Sequence, residues 1–177
     1  SAVTNVNDQQ KDRLFKKILA YFNNDLKTDL KGKTIALWGL AFKPGTDDMR
    51  EAPSRFLMEA LWEQGAIVRA YDPHAMDATQ DIYGVRNDLM LCGTKEAALV
   101  GADILVVCTE WKPFWSPDFS HIKQTLSYPV IFDGRNLYDP KRLKEQGIQY
   151  FAIGRRNFVK AEQPSAASSV NNVLEKA

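Results

Sequence analysis

Features that mark special classes of protein, such as many cysteines or a large net charge, are scarce in this 177-residue chain. It contains two cysteines, and its 23 Lys and Arg residues almost balance its 22 Asp and Glu residues, for a net charge of +1. This balance excludes a general electrostatic attraction to nucleic acid or to an anionic membrane. With 45% hydrophobic and 25% charged residues, the composition also excludes collagen-like, mucin-like and wholly disordered chains. Any anion that binds must therefore be held by a local site.

Long apolar runs and a secretory signal are also lacking. The N-terminus, Ser-Ala-Val-Thr-Asn, has no basic region followed by an apolar stretch, and the longest apolar runs are too short to span a bilayer. Cys92 and Cys108 each lie among apolar residues, which favours buried free thiols over a disulfide and indicates a reducing compartment. We therefore expect a cytoplasmic protein without a membrane or nucleic-acid partner.

The hydrophobic pattern alternates between strands and helices. Apolar residues at three- and four-residue spacing predict one long helix over residues 6–26. Strands are predicted at Thr34–Trp38, Ala66–Tyr71, Asp103–Cys108, Val130–Asp133 and Gln149–Ile153, and helices at Arg55–Gln64, Thr94–Val100, Asp118–Leu126 and Pro140–Gln146. Strands separated by helices indicate right-handed crossovers. The predicted fold is an α/β domain with a Rossmann-like parallel sheet and helices on both faces, preceded by one long helix.

The periodic segments set the expected boundaries. The sheet signals begin at Thr34, so we expect residues 31–156 to form the α/β domain and to fold without the first 28 residues. Residues 157–177 lose periodicity and gain small polar residues, which is typical of a disordered tail.

The loop after the first predicted strand, residues 39–53, is the longest of those expected at the carboxyl edge of the sheet, where ligands bind in open α/β folds. It carries Lys43 and Arg50 just ahead of a predicted helix N-terminus at Ser54, and both features favour a phosphate. The alternative is that Ser54 only caps the helix and that the two cations are solvated. Composition leaves both interpretations open.

This loop does not match the dinucleotide-binding fingerprint. The three glycine positions of that motif would fall on Gly39, Ala41 and Pro44. Asp72 ends the second predicted strand, where dinucleotide-binding folds keep the acid that binds a ribose hydroxyl. Because the fingerprint is missing, we expect Asp72 to cap the Asp-Pro-His turn instead.

Two later loops carry further candidates. Arg135 directly follows the strand-end pair 133–134, and its planar guanidinium suits a phosphate or carboxylate, although an ordinary surface arginine is an equal alternative. The aromatic residues of segment 111–115 either form a wall for a sugar or base or cover the core. His74 and His121 have no companion ligands at metal spacing, so no metal site is predicted.

Five segments together resemble the C-terminal domain of the UDP-glucose 6-dehydrogenase family, which oxidises nucleotide sugars. They are Gly39–Ser54 (GLAFKPGTDDMREAPS), Tyr71-Asp72-Pro73, Thr109-Glu110-Trp111, Asp133-Gly134-Arg135-Asn136 and Tyr150 with Ile153-Gly154-Arg155. They occur in the family's order and spacing, and the resemblance covers residues 5–156. On this basis residues 1–30 look like a helix from the end of the family's central helical domain, and residues 31–156 look like its UDP-sugar-binding domain.

The resemblance implies roles residue by residue. Phe42, Lys43 and Arg135 correspond to residues that contact the UDP-sugar in the family, with UDP-glucose and UDP-glucuronate as the implied ligands. Arg50 corresponds to a residue on the NAD side of the cleft. No catalytic residue and no metal ligand is implied within this chain.

The resemblance also implies an activity for a longer parent protein. The family oxidises UDP-glucose to UDP-glucuronate by two hydride transfers to NAD, through a thioester on a cysteine, and the implied parent is a homodimer or larger homo-oligomer. Neither Cys92 nor Cys108 lies in a segment like that of the family's cysteine, and the NAD-binding domain is absent. We therefore expect this chain alone to be inactive.

Two alternatives remain open. The same domain serves GDP-mannose and UDP-N-acetylmannosamine dehydrogenases, and most contacts with the hexose are expected outside it. A free-standing nucleotide-binding or assembly module is the alternative from a different functional class.

Overall fold

A computed structural model describes residues 12–153. Within this range the first helix, α1, covers residues 12–20 and continues into a π-helical turn at Tyr21–Asp25. The first part of the predicted helix, residues 6–11, and the predicted tail, residues 157–177, lie outside the described residues. No helix among those described is long and apolar enough to cross a membrane.

The strands form one six-stranded sheet in which every neighbouring pair is parallel. The strands are β1 (Thr34–Trp38), β2 (Ile67–Tyr71), β3 (Leu89–Leu91), β4 (Ile104–Val107), β5 (Val130–Asp133) and β6 (Gln149–Ala152). The helices between them are α2 (Pro53–Glu63), α3 (Met76–Tyr83), α4 (Lys95–Leu99), α5 (Phe119–Thr125) and α6 (Pro140–Glu145), and a short 3-10 helix covers Lys112–Phe114. This arrangement confirms the predicted Rossmann-like α/β fold.

The order of the strands creates a switch point. The sheet runs β3-β2-β1-β4-β5-β6, so the chain moves outward from β1 in one direction and then restarts at β4 in the other. Because crossovers are right-handed, the helices of the two halves lie on opposite faces. The switch point therefore lies between β1 and β4, and in open α/β sheets ligands bind at the carboxyl ends of the strands at such a point.

The sequence patterns missed two elements, α3 and β3. Helix α3 buries only Thr79 of its eight residues, and Asp77, Gln80 and Asp81 interrupt its apolar residues. Strand β3 has three residues at the edge of the sheet, and only Leu89 is buried. Neither segment buries enough residues to stand out in the hydrophobic pattern of the sequence.

Helix α1 and the π-helical turn that follows it belong to the same hydrophobic core as the sheet. Ile18 and Phe22 are fully buried, and the Tyr21 ring makes edge contacts with Phe132 on β5 and Phe151 on β6, at 5.8 and 5.9 Å between ring centroids. The described part of the long helix thus covers the β5–β6 side of the sheet. This packing argues against our expectation that the sheet folds without the first 28 residues.

Candidate functional site

A buried carboxylate, Asp72, organises the carboxyl edge of the sheet. It directly follows β2, and its side chain accepts five hydrogen bonds at 2.7–3.0 Å. The donors are the backbone N–H groups of Leu40, Ala41, His74 and Ala75 and the indole Nε1–H of Trp111. Asp72 thus caps its own turn, as expected, and it also holds the loops that follow β1 and β4.

The same five hydrogen bonds leave the Asp72 carboxylate unavailable to bind a ribose hydroxyl of NAD. An acid at the end of β2 binds a ribose hydroxyl in dinucleotide-binding folds, but the carboxylate of Asp72 is fully buried and both its oxygens are committed to the protein. The glycine fingerprint is also missing from the loop after β1. The carboxyl ends of β1 and β2 therefore do not fit NAD in the manner of a dinucleotide-binding domain.

The first residues of the β1 loop are held rigidly against β4. Gly39 has a φ of 95°, and a Cβ atom added there would lie 2.5 Å from the backbone nitrogen of Thr109. The hydroxyl of Thr109 donates to the Ala41 carbonyl at 2.7 Å. Glycine is required at position 39 because both the backbone angle and the close approach exclude a side chain.

Ser54 does not cap helix α2, contrary to one of our two interpretations. The helix begins at Pro53 with Ala52 at the N-cap position, and the Ser54 hydroxyl instead donates to the Leu40 carbonyl at 2.6 Å. Ser54 is buried, so this bond satisfies a polar group that water cannot reach. It adds another anchor to the β1 loop.

Beyond these anchors the β1 loop turns into solvent. The backbone N–H of Phe42 donates to the Asp48 carbonyl at 2.8 Å, which closes the turn over residues 42–48. The Phe42 side chain is 48% exposed, and Lys43 is exposed beside it. A large apolar ring and a cation thus lie on the surface at the end of a rigid segment.

Arg50 pairs within its own loop. Its Nε and Nη2 groups both donate to the Asp48 carboxylate at 3.1 Å, and these bonds hold the pKa of Asp48 below its ordinary range. The Arg50 side chain is nevertheless 88% exposed. The structure therefore places Arg50 on the outer surface of the loop, where its pairing partner is local.

The loop after β5 is anchored by a second buried carboxylate, Asp133. It accepts hydrogen bonds from the backbone N–H groups of Arg135 and Leu137, each at 2.7 Å, and from the Tyr150 hydroxyl at 2.6 Å. Burial raises the pKa of the Asp133 carboxyl, although the Tyr150 bond opposes this effect. The backbone of Arg135 is thus fixed from within the core.

The Arg135 side chain crosses to the loop after β4. Its Nε group donates to the Glu110 carboxylate, and the two side chains are 45% and 28% exposed. Sequence analysis assigned no role to Glu110 or to the carboxylate of Asp133. The available signal was an acidic residue at the end of a strand or within three positions of it, since such a residue lies at the carboxyl edge.

The segment Thr109–Glu110 connects the predicted site residues. Thr109 bonds to Ala41, next to Phe42 and Lys43, whereas Glu110 pairs with Arg135. This segment follows β4, which lies between β1 and β5 in the sheet. Lys43 and Arg135 therefore extend from loops on either side of one segment, at the switch point.

Of the three aromatic residues in segment 111–115, two are buried and one is exposed. Phe114 is fully buried and stacks on Trp38 at 5.2 Å, so it covers the core. Trp111 is also buried and stacks on His74 at 4.8 Å. Trp115 is 51% exposed, and its indole N–H donates to the Glu110 carbonyl at 3.0 Å.

The remaining features of the described residues do not indicate a second functional site. Among residues 12–153 no group of three or more His, Cys, Asp and Glu side chains could hold a metal ion. A surface depression of about 430 Å³ is lined by Ser120, Lys123, Gln124 and Gln146, and it is open to solvent. Cys92 and Cys108 are both buried and free, as predicted.

Comparison with known proteins assigns the chain to a family. The sequence model of the UDP-glucose/GDP-mannose dehydrogenase family, UDP binding domain, matches residues 36–140. The UDP-glucose 6-dehydrogenase of Pseudomonas aeruginosa is 46% identical over 157 residues, which cover 87% of this chain and 34% of that protein. The UDP-glucose 6-dehydrogenase of Rhizobium meliloti is 36% identical over 150 residues, which cover 85% of this chain and 33% of that protein.

Solved structures show the same relationship. A UDP-glucose dehydrogenase from Pyrobaculum islandicum matches with a TM-score of 0.66 and 27% identity, over 85% of this chain and 31% of that one. An NDP-N-acetyl-D-galactosaminuronic acid dehydrogenase from Methanosarcina mazei matches with a TM-score of 0.69 and 26% identity, over 82% of this chain and 29% of that one. The chain spans about a third of the length of these relatives. It therefore belongs to the UDP-glucose/GDP-mannose dehydrogenase family, as the C-terminal, UDP-binding domain of that family's oxidoreductases.

Proposed function

We propose that this chain is the UDP-sugar-binding domain of an NAD-dependent UDP-glucose 6-dehydrogenase, which converts UDP-glucose to UDP-glucuronate. The observation that carries the proposal is the position of Lys43 and Arg135, which extend from loops on either side of the Thr109–Glu110 segment at the switch point. Two cations at the carboxyl edge of a parallel sheet suit the diphosphate of a nucleotide sugar.

The four proposed site residues contribute to binding in three ways. Lys43 and Arg135 donate charge-assisted hydrogen bonds to the diphosphate, and Arg135 adds the planar geometry that a phosphate accepts. The exposed ring of Phe42 supplies apolar surface for the nucleoside or sugar. Arg50, which lies on the outer surface of its loop, faces the NAD side of the closed cleft in the parent protein.

The oxidation itself requires parts outside this domain. We propose that residues 1–30 end the central helical domain, residues 31–156 form the UDP-sugar-binding domain and residues 157–177 form a tail. The carboxyl ends of β1 and β2 do not fit NAD, because the Asp72 carboxylate is already hydrogen-bonded within the protein. We therefore assign the domain no step of hydride transfer, and we expect the chain alone to be inactive. The proposed parent is a cytoplasmic homo-oligomer.

Another nucleotide sugar is the second candidate substrate. The relatives with solved structures include a UDP-D-ManNAc dehydrogenase from Pyrococcus horikoshii, at 26% identity and a TM-score of 0.62. The 46% identity to the Pseudomonas aeruginosa UDP-glucose 6-dehydrogenase favours UDP-glucose. A free-standing binding module without an enzymatic role would retain the same nucleotide site.

A competition series tests the proposal. UDP, UDP-glucose, GDP and NAD are titrated into the 177-residue chain at low salt, and amide chemical shifts are followed by NMR. We expect UDP and UDP-glucose to shift the amides of the loops after β1 and β5, with weaker effects from GDP and NAD. Tighter binding of GDP would identify a guanosine-linked sugar, and absence of UDP binding would contradict the proposal. NADH formation from UDP-glucose and NAD by the purified chain would contradict the expected inactivity.

A further inference from the structure

The Glu110 carboxylate is bonded to the guanidinium of Arg135, which is one of the two cations that the proposed diphosphate would bind. The Arg135 guanidinium donates through Nε to the Glu110 carboxylate, a residue 25 positions earlier in the chain. Both side chains are partly exposed, at 45% and 28%, so a ligand at the carboxyl edge can reach the pair. A diphosphate that binds Arg135 therefore meets a carboxylate already bound to the same group.

Arg135 does not depend on Glu110 for its position. The Arg135 backbone N–H donates to the buried carboxylate of Asp133 at 2.7 Å, and the N–H of Gly134 donates to the Val107 carbonyl at 2.9 Å. These bonds lie beneath the surface and hold the loop against β4 and β5. Removing the charge of Glu110 would thus free the guanidinium while its loop stays in place.

We propose that Glu110 is the resident counterion of Arg135, that the diphosphate of the nucleotide must displace it, and that Glu110 thereby lowers the affinity of the domain for UDP. This inference rests on the proposed function, because it assumes that UDP binds at Arg135. Glu110 is not a catalytic residue, since it affects the ligand only by competing with it for Arg135. The exchange conserves charge pairing, because one anion replaces another on the guanidinium.

The neutral variant Glu110→Gln tests the inference. It keeps the shape of the side chain, and the Glu110 carbonyl remains free to accept the Trp115 indole bond. We expect UDP to bind this variant about 2- to 5-fold more tightly than the wild type, which is the range for a partly exposed ion pair. Isothermal titration calorimetry at 0.15 M salt measures the dissociation constants. Glu110→Ala is a second variant that removes the same charge if Glu110→Gln does not fold.

Two comparisons separate displacement from a general change in charge. Glu63→Gln is the matched control, because Glu63 is an exposed residue at the end of α2, just before β2, and thus at the opposite edge of the sheet. It should leave the affinity unchanged. The double variant Glu110→Gln/Arg135→Ala should bind UDP within about twofold of Arg135→Ala alone, since at this salt the charges that remain are screened over about 8 Å.

The outcomes are distinct. Unchanged or weaker binding by Glu110→Gln, while the wild type binds UDP, would overturn the role of Glu110 and leave the proposed function standing. A gain of equal size in Glu63→Gln, or one that persists without Arg135, would replace displacement by general repulsion and also overturn it. If neither the wild type nor any variant binds UDP, the proposed function fails, and this inference fails with it.

Discussion

The indole N–H of Trp111 donates to the carboxylate of Asp72 across 3.0 Å, and this bond joins the loop after β4 to the end of β2. The two residues lie 39 positions apart in the chain, and both are buried. The same carboxylate accepts four backbone N–H groups from two loops. The loops that follow β1, β2 and β4 are therefore joined around one buried carboxylate whose two oxygens accept hydrogen bonds from the protein itself.

The first prediction concerns this charge. In Asp72→Asn one oxygen becomes an NH2 group, which faces two or three N–H donors in either orientation of the amide. We expect a loss of about 2–4 kcal/mol in the free energy of unfolding, since buried donors lose a charged acceptor. Urea denaturation measures the change. Asp29→Asn is the matched control, because Asp29 is exposed and accepts one bond from Lys31, so its loss should stay below about 1 kcal/mol. Equal losses would contradict the special role of Asp72.

The second prediction concerns the proposed diphosphate site. Lys43→Ala and Arg135→Ala should each weaken UDP binding by about 10- to 150-fold, because each removes a hydrogen bond to a charged group. NMR titration at low salt measures the dissociation constants. Lys144→Ala is the matched control, since Lys144 is an exposed residue in the last turn of α6.

Arg50→Ala adds a comparison within the same loop. Its guanidinium is already bonded to Asp48, so UDP binding should change by less than about twofold. Equal losses in Lys43→Ala, Arg135→Ala and Arg50→Ala would indicate a diffuse basic surface. Unchanged binding in both Lys43→Ala and Arg135→Ala would exclude the site.

The third prediction concerns the π-helical turn that follows α1. Phe22 is fully buried against the sheet, so Phe22→Ala should cost about 3–5 kcal/mol of unfolding free energy through lost burial and a cavity. Phe56→Ala is the matched control, because Phe56 is 38% exposed on α2 and should cost less than about 1.5 kcal/mol. Deletion of residues 1–28 should abolish the cooperative thermal transition. A deleted chain that still unfolds cooperatively would instead support the boundary expected from the sequence.

The fourth prediction concerns pH. Burial raises the pKa of the Cys108 thiol from its ordinary 9.0 to about 12, so the unfolded chain loses this proton first as the pH rises. The stability that the protonated thiol contributes is complete below pH 9 and is lost at about 1.4 kcal/mol per pH unit toward pH 12. Urea denaturation at pH 8, 9, 10 and 11 should show this slope. Cys108→Ala should reduce it, and an identical slope in that variant would contradict the assignment.

Local patterns predicted the elements that are buried on both faces. Strands β4 and β5 consist entirely of buried residues, and the segments Asp103–Cys108 and Val130–Asp133 stand out as apolar runs in the sequence. Helix α5 was recognisable between Asp118 and Leu126, and Asp118 indeed caps it by accepting from the His121 N–H. The edge strand β3 could not be recognised in this way, since a three-residue strand with one buried side chain has no measurable period.

The sequence by itself determined the fold class, the family and the loops in which the candidate residues lie, because strand runs, helix periods and the five motif segments are local in the chain. Tertiary structure alone decided how those loops are joined: Asp72 to Trp111, Ser54 to Leu40 and Glu110 to Arg135. The first and last of these pairs lie 39 and 25 positions apart, and they meet only because the strand order places the ends of β2, β1, β4 and β5 side by side. A hydrogen bond between loops depends on that order in space, which no local spacing of residues encodes.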